Sequence, residues 1–472
     1  PEGAGKGEGK TKLVSLRVWK VPKESSSLAP AGTASSKGLS SLLVLVDHSD
    51  PVPIELQTWA GLDFVNYWFS DLINITSWTI GTAPLLAGLS TVDSTLIVIL
   101  SGICNGVPTV MNGYFGTDYH IPFPIAVRAS FGYYFGIFPV LSRAILSAVW
   151  FGVNSGDVQG IFNQPAKTSG QAHMWLWLAT FSSTTNAWLT GTLNMSDYSR
   201  FAKTGSRGQW SQVFAIPLIK TTYAILGLAV AGAGRVLYNQ EISSPVELLP
   251  YWGKTGGGRF LAFLCANLWM LAQISCDISA NTIPFGHDVM SFIPQWMTIR
   301  RGSFLCLLIG AWAMVPWLIV NGTSKFLSFM SAYGVFVTPM CSIMIVDYFF
   351  IRRRRLNLSD IYHPRGCYRY KYGVNWRALV TEIAFVGINL PGIINNITPS
   401  IVIPSALVHL YQVNWFVNTF GALFSYWLLC VFWPPLESFD TKILEGSIRN
   451  EGGDFDQVGE NTVKGVNSSL DV

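Results

Sequence analysis

Charge is what this sequence has least of. Asp, Glu, Lys and Arg make up 12% of its 472 residues, about half the share found in soluble domains. With 50% hydrophobic residues and a mean hydropathy of +0.36, there is too little polar surface to cover a soluble protein of this length. That class is excluded, and a polytopic membrane protein is left. Cysteine pairing is also missing. The seven cysteines are scattered without a CxxC pair or metal-ligand spacing, so free thiols are expected and a disulfide framework is not. The six histidines (His48, His120, His173, His287, His363 and His409) are dispersed, with no HExxH pattern, and no Walker motif occurs. A metalloenzyme, any other enzyme and an ATP-driven pump are therefore not expected, and no catalytic residue or cofactor is assigned. Residues 1–57 show no n-region/h-region pattern, so a signal peptide is not expected there.

What is present is a series of apolar segments. They fall at 62–86, 89–112, 130–155, 172–195, 211–233, 259–283, 303–321, 325–351, 378–397 and 413–434. Each is about the 20 residues needed to cross a bilayer, which gives about ten spans. The Gly-, Lys-, Ser- and Pro-rich residues 1–57 and the polar residues 435–472 are expected as disordered cytosolic tails around a transmembrane domain at 58–434. Basic residues fix the orientation. Arg128, Arg200, Lys203, Arg207, Arg300, Arg301 and the run Arg352–Arg355, with Arg365, Arg369, Lys371 and Arg377 behind it, fall on one side, whereas the other holds Lys167, Arg235, Lys254, Arg259 and Lys325 and carries no Lys or Arg at 398–412. This bias places both termini in the cytosol. The Arg run reads as a topology signal, with a lipid headgroup contact as the second reading and nucleic acid not expected.

Function in such a chain is sought where spans turn polar. The first contains Asn74, Thr76, Ser77, Thr79, Gly81, Thr82 and Pro84; the fourth contains Ser182 to Asn186, leading to Trp188. The sixth runs from an apolar Leu268–Ala272 into Gln273, Ser275, Cys276, Asp277, Ser279, Asn281 and Thr282. A single Ser or Thr in a span usually bonds back to its own helix. Three interrupted spans in one chain favour discontinuous helices around a midplane site. In the third span Trp150 and Asn154 are four residues apart and share a helical face, an aromatic plane beside an amide that suits a flat heterocycle. Pro284 and Gly286 are expected to end the sixth helix.

At this point the sequence resembles a known family. The stretches IELQTWAGLDFVNYWFSDLI (54–73), YHIPFPIAVRASFG (119–132), SRAILSAVWFGV (142–153), NMSDYSRFAK (194–203), DISAN (277–281), MTIRRG (297–302), FLSFMSAYGVFVTPMCSIMIVDYFFIRR (326–353) and YRYKYGVNWRAL (368–379) are similar to the nucleobase–cation symporter-1 family, in its fungal uracil and allantoin permease branch. The resemblance runs in order through most of 50–435. It implies an all-α, inverted-repeat, LeuT-like fold and a secondary transporter in the plasma membrane. Such a protein would import a small heterocycle (uracil, allantoin or a related ring) with a cation by alternating access. Thiamine, uridine or nicotinamide riboside transport, or a non-transporting truncated isoform or sensor on the same scaffold, are the alternatives. Oligomeric state is not read from the sequence.

The same resemblance implies roles residue by residue. Trp150 stacks on the substrate ring, Asn154 takes the place of a usual Gln, Trp188 closes a sandwich, and Asn281 hydrogen-bonds the substrate. A candidate sodium site falls on Ala272, Ser275 and Cys276, together with carbonyls of the first helix. Cys276 replaces a hydroxyl ligand and suits a hard cation poorly. That favours a proton over sodium as the coupling ion, with the neighbouring Asp277 as its carrier. Capping or pairing is the alternative role for Asp277. Met330, in the span matching the tenth helix, is the candidate gate, and Glu382 is read as structural. The resemblance departs from the family pattern once: after the third span the sequence passes almost directly into the loop that enters the sixth. The fourth and fifth helices of the pattern are absent, which leaves the expected site open on one flank.

Overall fold

The computed structural model describes residues 51–155, 170–203, 207–238, 244–293, 296–313, 323–362, 366–398, 400–435 and 438. Among them the regular structure is helical, and isolated bridges join Trp59 to Ala202 and Lys371 to Val374. Most of residues 1–57 and 435–472 therefore lie outside the described residues. Those nearest the bundle are tied to it. Val52 is buried and its N–H donates to the carbonyl of His120 (3.0 Å), and Ser438 accepts a bond from Arg352 (3.3 Å).

The first expected span is two helices, α1 (Gly61–Leu72) and α2 (Ile75–Leu86). Asn74 makes the break. Its backbone is extended, and its side chain caps α2 by accepting the N–H of Ser77 at 2.7 Å, the role for which Asn is favoured at helix starts. α3 (Thr91–Tyr119) is unbroken, α4 (Phe123–Phe131) is a short buried helix, and α5 (Ile137–Ser155) carries Trp150. Residues 156–170 alone separate α5 from α6 (Gln171–Asn186), too few for one further span. α6 ends at Asn186, and after Ala187 and Trp188 the chain re-enters a helix as α7 (Leu189–Leu193).

α8 (Ser211–Tyr238) packs tightly on α2 and α3 because small residues face it. A Cβ on Gly81 would lie 2.7 Å from that of Ala224, and one on Gly102 would lie 2.7 Å from the Cα of Pro217. Small residues of this kind let membrane helices approach backbone to backbone.

The polar sixth span does not stop where the sequence suggested. α9 (Gly256–Cys276) passes through a π-helical turn, Asp277–Thr282, into α10 (Ile283–Phe292). Pro284 sits in the first turn of α10, where a missing N–H costs little. Gly286 is a packing position, since a Cβ on the facing Gly302 of α11 (Ile299–Leu308) would lie 2.7 Å from its Cα. The last long helices are α12 (Thr323–Val346), α13 (Trp376–Ile397) and α15 (Asn414–Phe432), with a short α14 (Ser405–Gln412) between the latter two.

Six of the described helical segments are long and apolar enough to cross a membrane. Their burial differs sharply: the apolar window of Ala332–Ile351 is 78% buried, that of Gly256–Phe292 only 17%. The polar sixth span thus lies at the periphery of the bundle, and Ser275 on it is exposed.

Candidate functional site

The two helix breaks and the π turn converge on one cavity. Its volume is about 40 Å³, and it is lined by Tyr67, Asp71, Asn74, Thr76 and Ile80 from the α1/α2 break, Trp150 from α5, Ala187, Trp188, Thr190 and Gly191 from the α6/α7 break, and Cys276, Ala280 and Asn281 from the α9 side. Trp150, Trp188, Asn281 and Cys276, four of the residues singled out from the sequence, are therefore brought together. Trp150 is buried, and Tyr333 of α12 meets it edge-on with ring centroids 5.9 Å apart. The Trp188 indole N–H has no partner among the described residues.

The remaining expected residues sit elsewhere. Ala272, Ser275 and Asp277 do not line the cavity. The Ser275 hydroxyl shares a 2.7 Å hydrogen bond with Ser70 of α1. Asp277 is buried and accepts the Asn281 amide at 2.9 Å. The coupling and substrate sides that the sequence suggested as separate are thus joined by one hydrogen bond within the π turn. Asn154 falls on α5 and Met330 on α12, but both side chains lie outside the described residues.

Sequence reasoning passed over Asp71. It is 3% exposed and stands three residues before the break. A carboxylate inside an apolar span is itself the signal that could have found it. Asn74 donates to the carbonyl of Asp71 at 2.5 Å and to the Cys276 sulfur at 3.1 Å, and the Cys276 thiol lies 3.9 Å from Asp71 Oδ1. One turn earlier on α9, Gln273 Oε1 accepts the N–H of Ile75 (3.2 Å), a first-turn donor that has no partner within α2. Three polar contacts thus stitch the α1/α2 break to α9. As a seat for a hard cation the donors fit poorly: Cys276 offers sulfur, and the Ser275 hydroxyl is already engaged with Ser70.

Outside the cavity lining, a buried ion cluster joins elements from distant parts of the chain. Arg143 of α5 donates to Asp197, in the turn after α7, at 2.6 Å. It also donates to Asp288 of α10 (Nε to Oδ2, 2.7 Å) and to the carbonyl of Pro284 (3.1 Å). Asp197 accepts the N–H of Phe123 at the start of α4 (2.8 Å), and Arg200 meets His287 at 3.0 Å. Tyr198 adds a bond to the carbonyl of Ser279.

With that geometry in place, comparison with known proteins is informative. The sequence profile of a family described as permeases for cytosine/purines, uracil, thiamine and allantoin matches residues 51–156 and 155–418. The chain belongs to this permease family. The two matched stretches of the permease meet where residues 156–170 join α5 to α6. Among curated relatives, the allantoin permease of Saccharomyces cerevisiae is 27% identical, with 83% of this chain and 77% of that protein covered. The uracil permease of the same yeast is 25% identical (81% and 75% covered). The allantoin permease of Bacillus subtilis is 23% identical (83% and 94% covered). The structure is similar to Mhp1, a nucleobase-cation-symport-1 family transporter, in a closed conformation with bromovinylhydantoin bound. That match has a TM-score of 0.63 and 16% identity, and covers 85% of this chain and 99% of that one. Its similarity to the inward-facing conformation of Mhp1 has a TM-score of 0.64. The LeuT-like fold expected from the sequence is the fold of these neighbours, and the permease is a polytopic membrane transporter of the symporter type rather than an enzyme.

Proposed function

We propose that this permease imports a nucleobase-like heterocycle across the plasma membrane in symport with a proton. The observation that carries this reading is the composition of the cavity, in which two indoles, two amides and a carboxyl meet, from three interrupted spans and from α5. The Trp150 and Trp188 rings offer π faces to a flat ring. Asn281, held by Asp277, and the N–H of Trp188 offer donors to ring carbonyls. Asp71, beside the sulfur of Cys276, is the proton carrier, with Asp277 behind it. Asn154 is kept as a further substrate contact. Tyr333 on α12, one turn beyond the candidate gate Met330, backs the Trp150 ring edge-on. The Arg143–Asp197–Asp288 cluster is the inner latch of an alternating-access cycle, with both termini in the cytosol. Uracil and allantoin are the first substrates to test, ahead of thiamine, uridine and nicotinamide riboside.

The experiment is a competition panel of these compounds against radiolabelled uracil and allantoin in transporter-null yeast, at a series of external pH values and with and without sodium. Accumulation of one tracer that rises with the proton gradient and ignores sodium supports the reading; sodium-dependent, pH-independent uptake overturns the proton assignment. The shortness of 156–170 favours one second reading, a chain on this scaffold that binds without transporting. Binding without accumulation decides for it.

A further inference from the structure

Lys220 lies on α8 and is 5% exposed. It is nine residues past Ser211, about 14 Å along the helix axis, so its side chain is too short to carry the charge to the end of the span. Among the described residues no carboxylate pairs with it. An unpaired ammonium at this depth is costly and is retained where it does something.

Its partners say what. Nζ donates to the hydroxyl of Ser101 on α3 (2.9 Å) and to the carbonyl of Thr184 at the end of α6 (3.4 Å), and lies 5.7 Å from the centre of the Trp188 ring. A hydroxyl and a carbonyl accept from the ammonium, and an indole face stands within cation–π reach of it. The close packing of Gly102 against Pro217 brings α8 near enough to α3 for this contact.

The last turn of α6 repeats the pattern. A helix leaves its last four carbonyls without intrahelical donors, and they carry a partial negative charge. Here each has a named donor. Ser183 O accepts the N–H of Ala187 (3.1 Å), Thr184 O accepts Lys220, Thr185 O accepts the Asn105 amide of α3 (3.2 Å), and Asn186 O accepts the Tyr333 hydroxyl of α12 (2.5 Å). Carbonyls at the ends of broken helices are where transporters of this type seat cations. At this break the seat is already taken.

We infer that Lys220 is a tethered cation that occupies the C-terminal end of α6, fixes the Trp188 ring against it, and confines ion coupling to the α1/α2 break. Lys220 is a positioning residue. Its link to substrate, through Trp188, rests on the reading of the cavity given above; its occupation of a cation seat does not.

The test uses the purified full chain, with thermal unfolding followed in sodium chloride and in choline chloride at equal ionic strength. Lys220→Asn replaces the ammonium with an oxygen donor beside Ser101 and Thr184, which opens a seat for sodium. Its melting temperature is expected to rise in sodium by several degrees more than that of the wild type or of Lys220→Met, and Lys220→Arg, which keeps the charge, to follow the wild type. An equal sodium response in wild type, Lys220→Asn and Lys220→Met overturns the inference. Should Lys220→Asn yield too little folded protein to melt in choline, its monodisperse recovery after solubilisation in each salt is the same measurement, and equal recovery in both overturns it. In cells, Lys220→Arg is expected to retain uptake that Lys220→Met loses. Only this arm depends on the transport reading, so a sodium response without uptake in any variant retains the cation seat and rejects the transport function.

Discussion

Cys276 on α9 and Asp71 on α1 meet at the wall of the cavity, with the thiol sulfur 3.9 Å from Oδ1 and Asn74 bridging both residues. No basic side chain pairs with Asp71 among the described residues. A hydrocarbon-depth carboxyl without a counter-ion is suited to take and release a proton, whereas a sulfur beside it suits no alkali cation.

Asp71→Asn keeps the shape of the side chain and removes the titratable group. It is expected to abolish gradient-driven accumulation while leaving tracer exchange intact. Uptake and counterflow measured in the same cells check this, and unchanged accumulation would sink the assignment of Asp71.

Cys276→Ser restores an oxygen next to Ser275. Uptake by this variant is expected to be stimulated by sodium more than uptake by the wild type at the same pH. A sodium titration of initial rates is the measurement, and a flat response would show that sulfur is not what disfavours the alkali ion.

Trp150→Ala removes a stacking face. Aromatic stacking on a base is worth about 1–3 kcal/mol, or about 5- to 150-fold in affinity. Trp150→Phe should retain most of it. Competition binding on correctly trafficked protein reads the difference, and equal affinities for the Ala variant and the wild type would remove Trp150 from the site.

Gly334→Ala tests the packing of α12 against α6. A Cβ there would lie 2.2 Å from the Asn186 side chain, at the end of α6 where Asn186 also bonds Asn414 (2.8 Å). Overpacking of this kind costs about 1–3 kcal/mol. A lowered melting temperature, with Tyr333→Phe affected less, is expected in thermal unfolding.

Asp347→Ala tests the second buried ion pair. Asp347 accepts from Arg352 (2.7 Å), Ser130 (3.0 Å) and Tyr426 (2.9 Å), and holds the end of the α12 span against α4 and α15. Removing it strands a buried guanidinium, at a cost of about 3–5 kcal/mol. Asp347→Asn should recover part of the loss, as read in the same unfolding assay.

Several features of this protein follow from composition and spacing alone. Low charge and repeated apolar runs require a bilayer, because nothing else solvates such a surface. Polar residues inside spans mark the breaks, because an unsatisfied backbone group in hydrocarbon needs a partner. Asn74 and Asn281 were legible for that reason, Trp150 through its spacing from Asn154 and its family resemblance, and Trp188 through the resemblance alone. Fold class came with them, whereas Tyr67, Asp71, Ile80 and Gly191 of the cavity wall did not.

Partnership was not legible, since contacts between residues some 200 positions apart leave no local pattern. Sequence reasoning placed a proton on Asp277 and treated Pro284 as a helix end. Tertiary packing also put Asp71, which the sequence did not single out, against Cys276, and it carried the helix past Pro284 through the π turn to Phe292. It also turned an unremarked lysine on α8 into the neighbour of Trp188. The sequence determined that polar groups would be buried in a membrane; only the folded arrangement decided which of them meet, because each buried donor and acceptor had to find its partner on another helix.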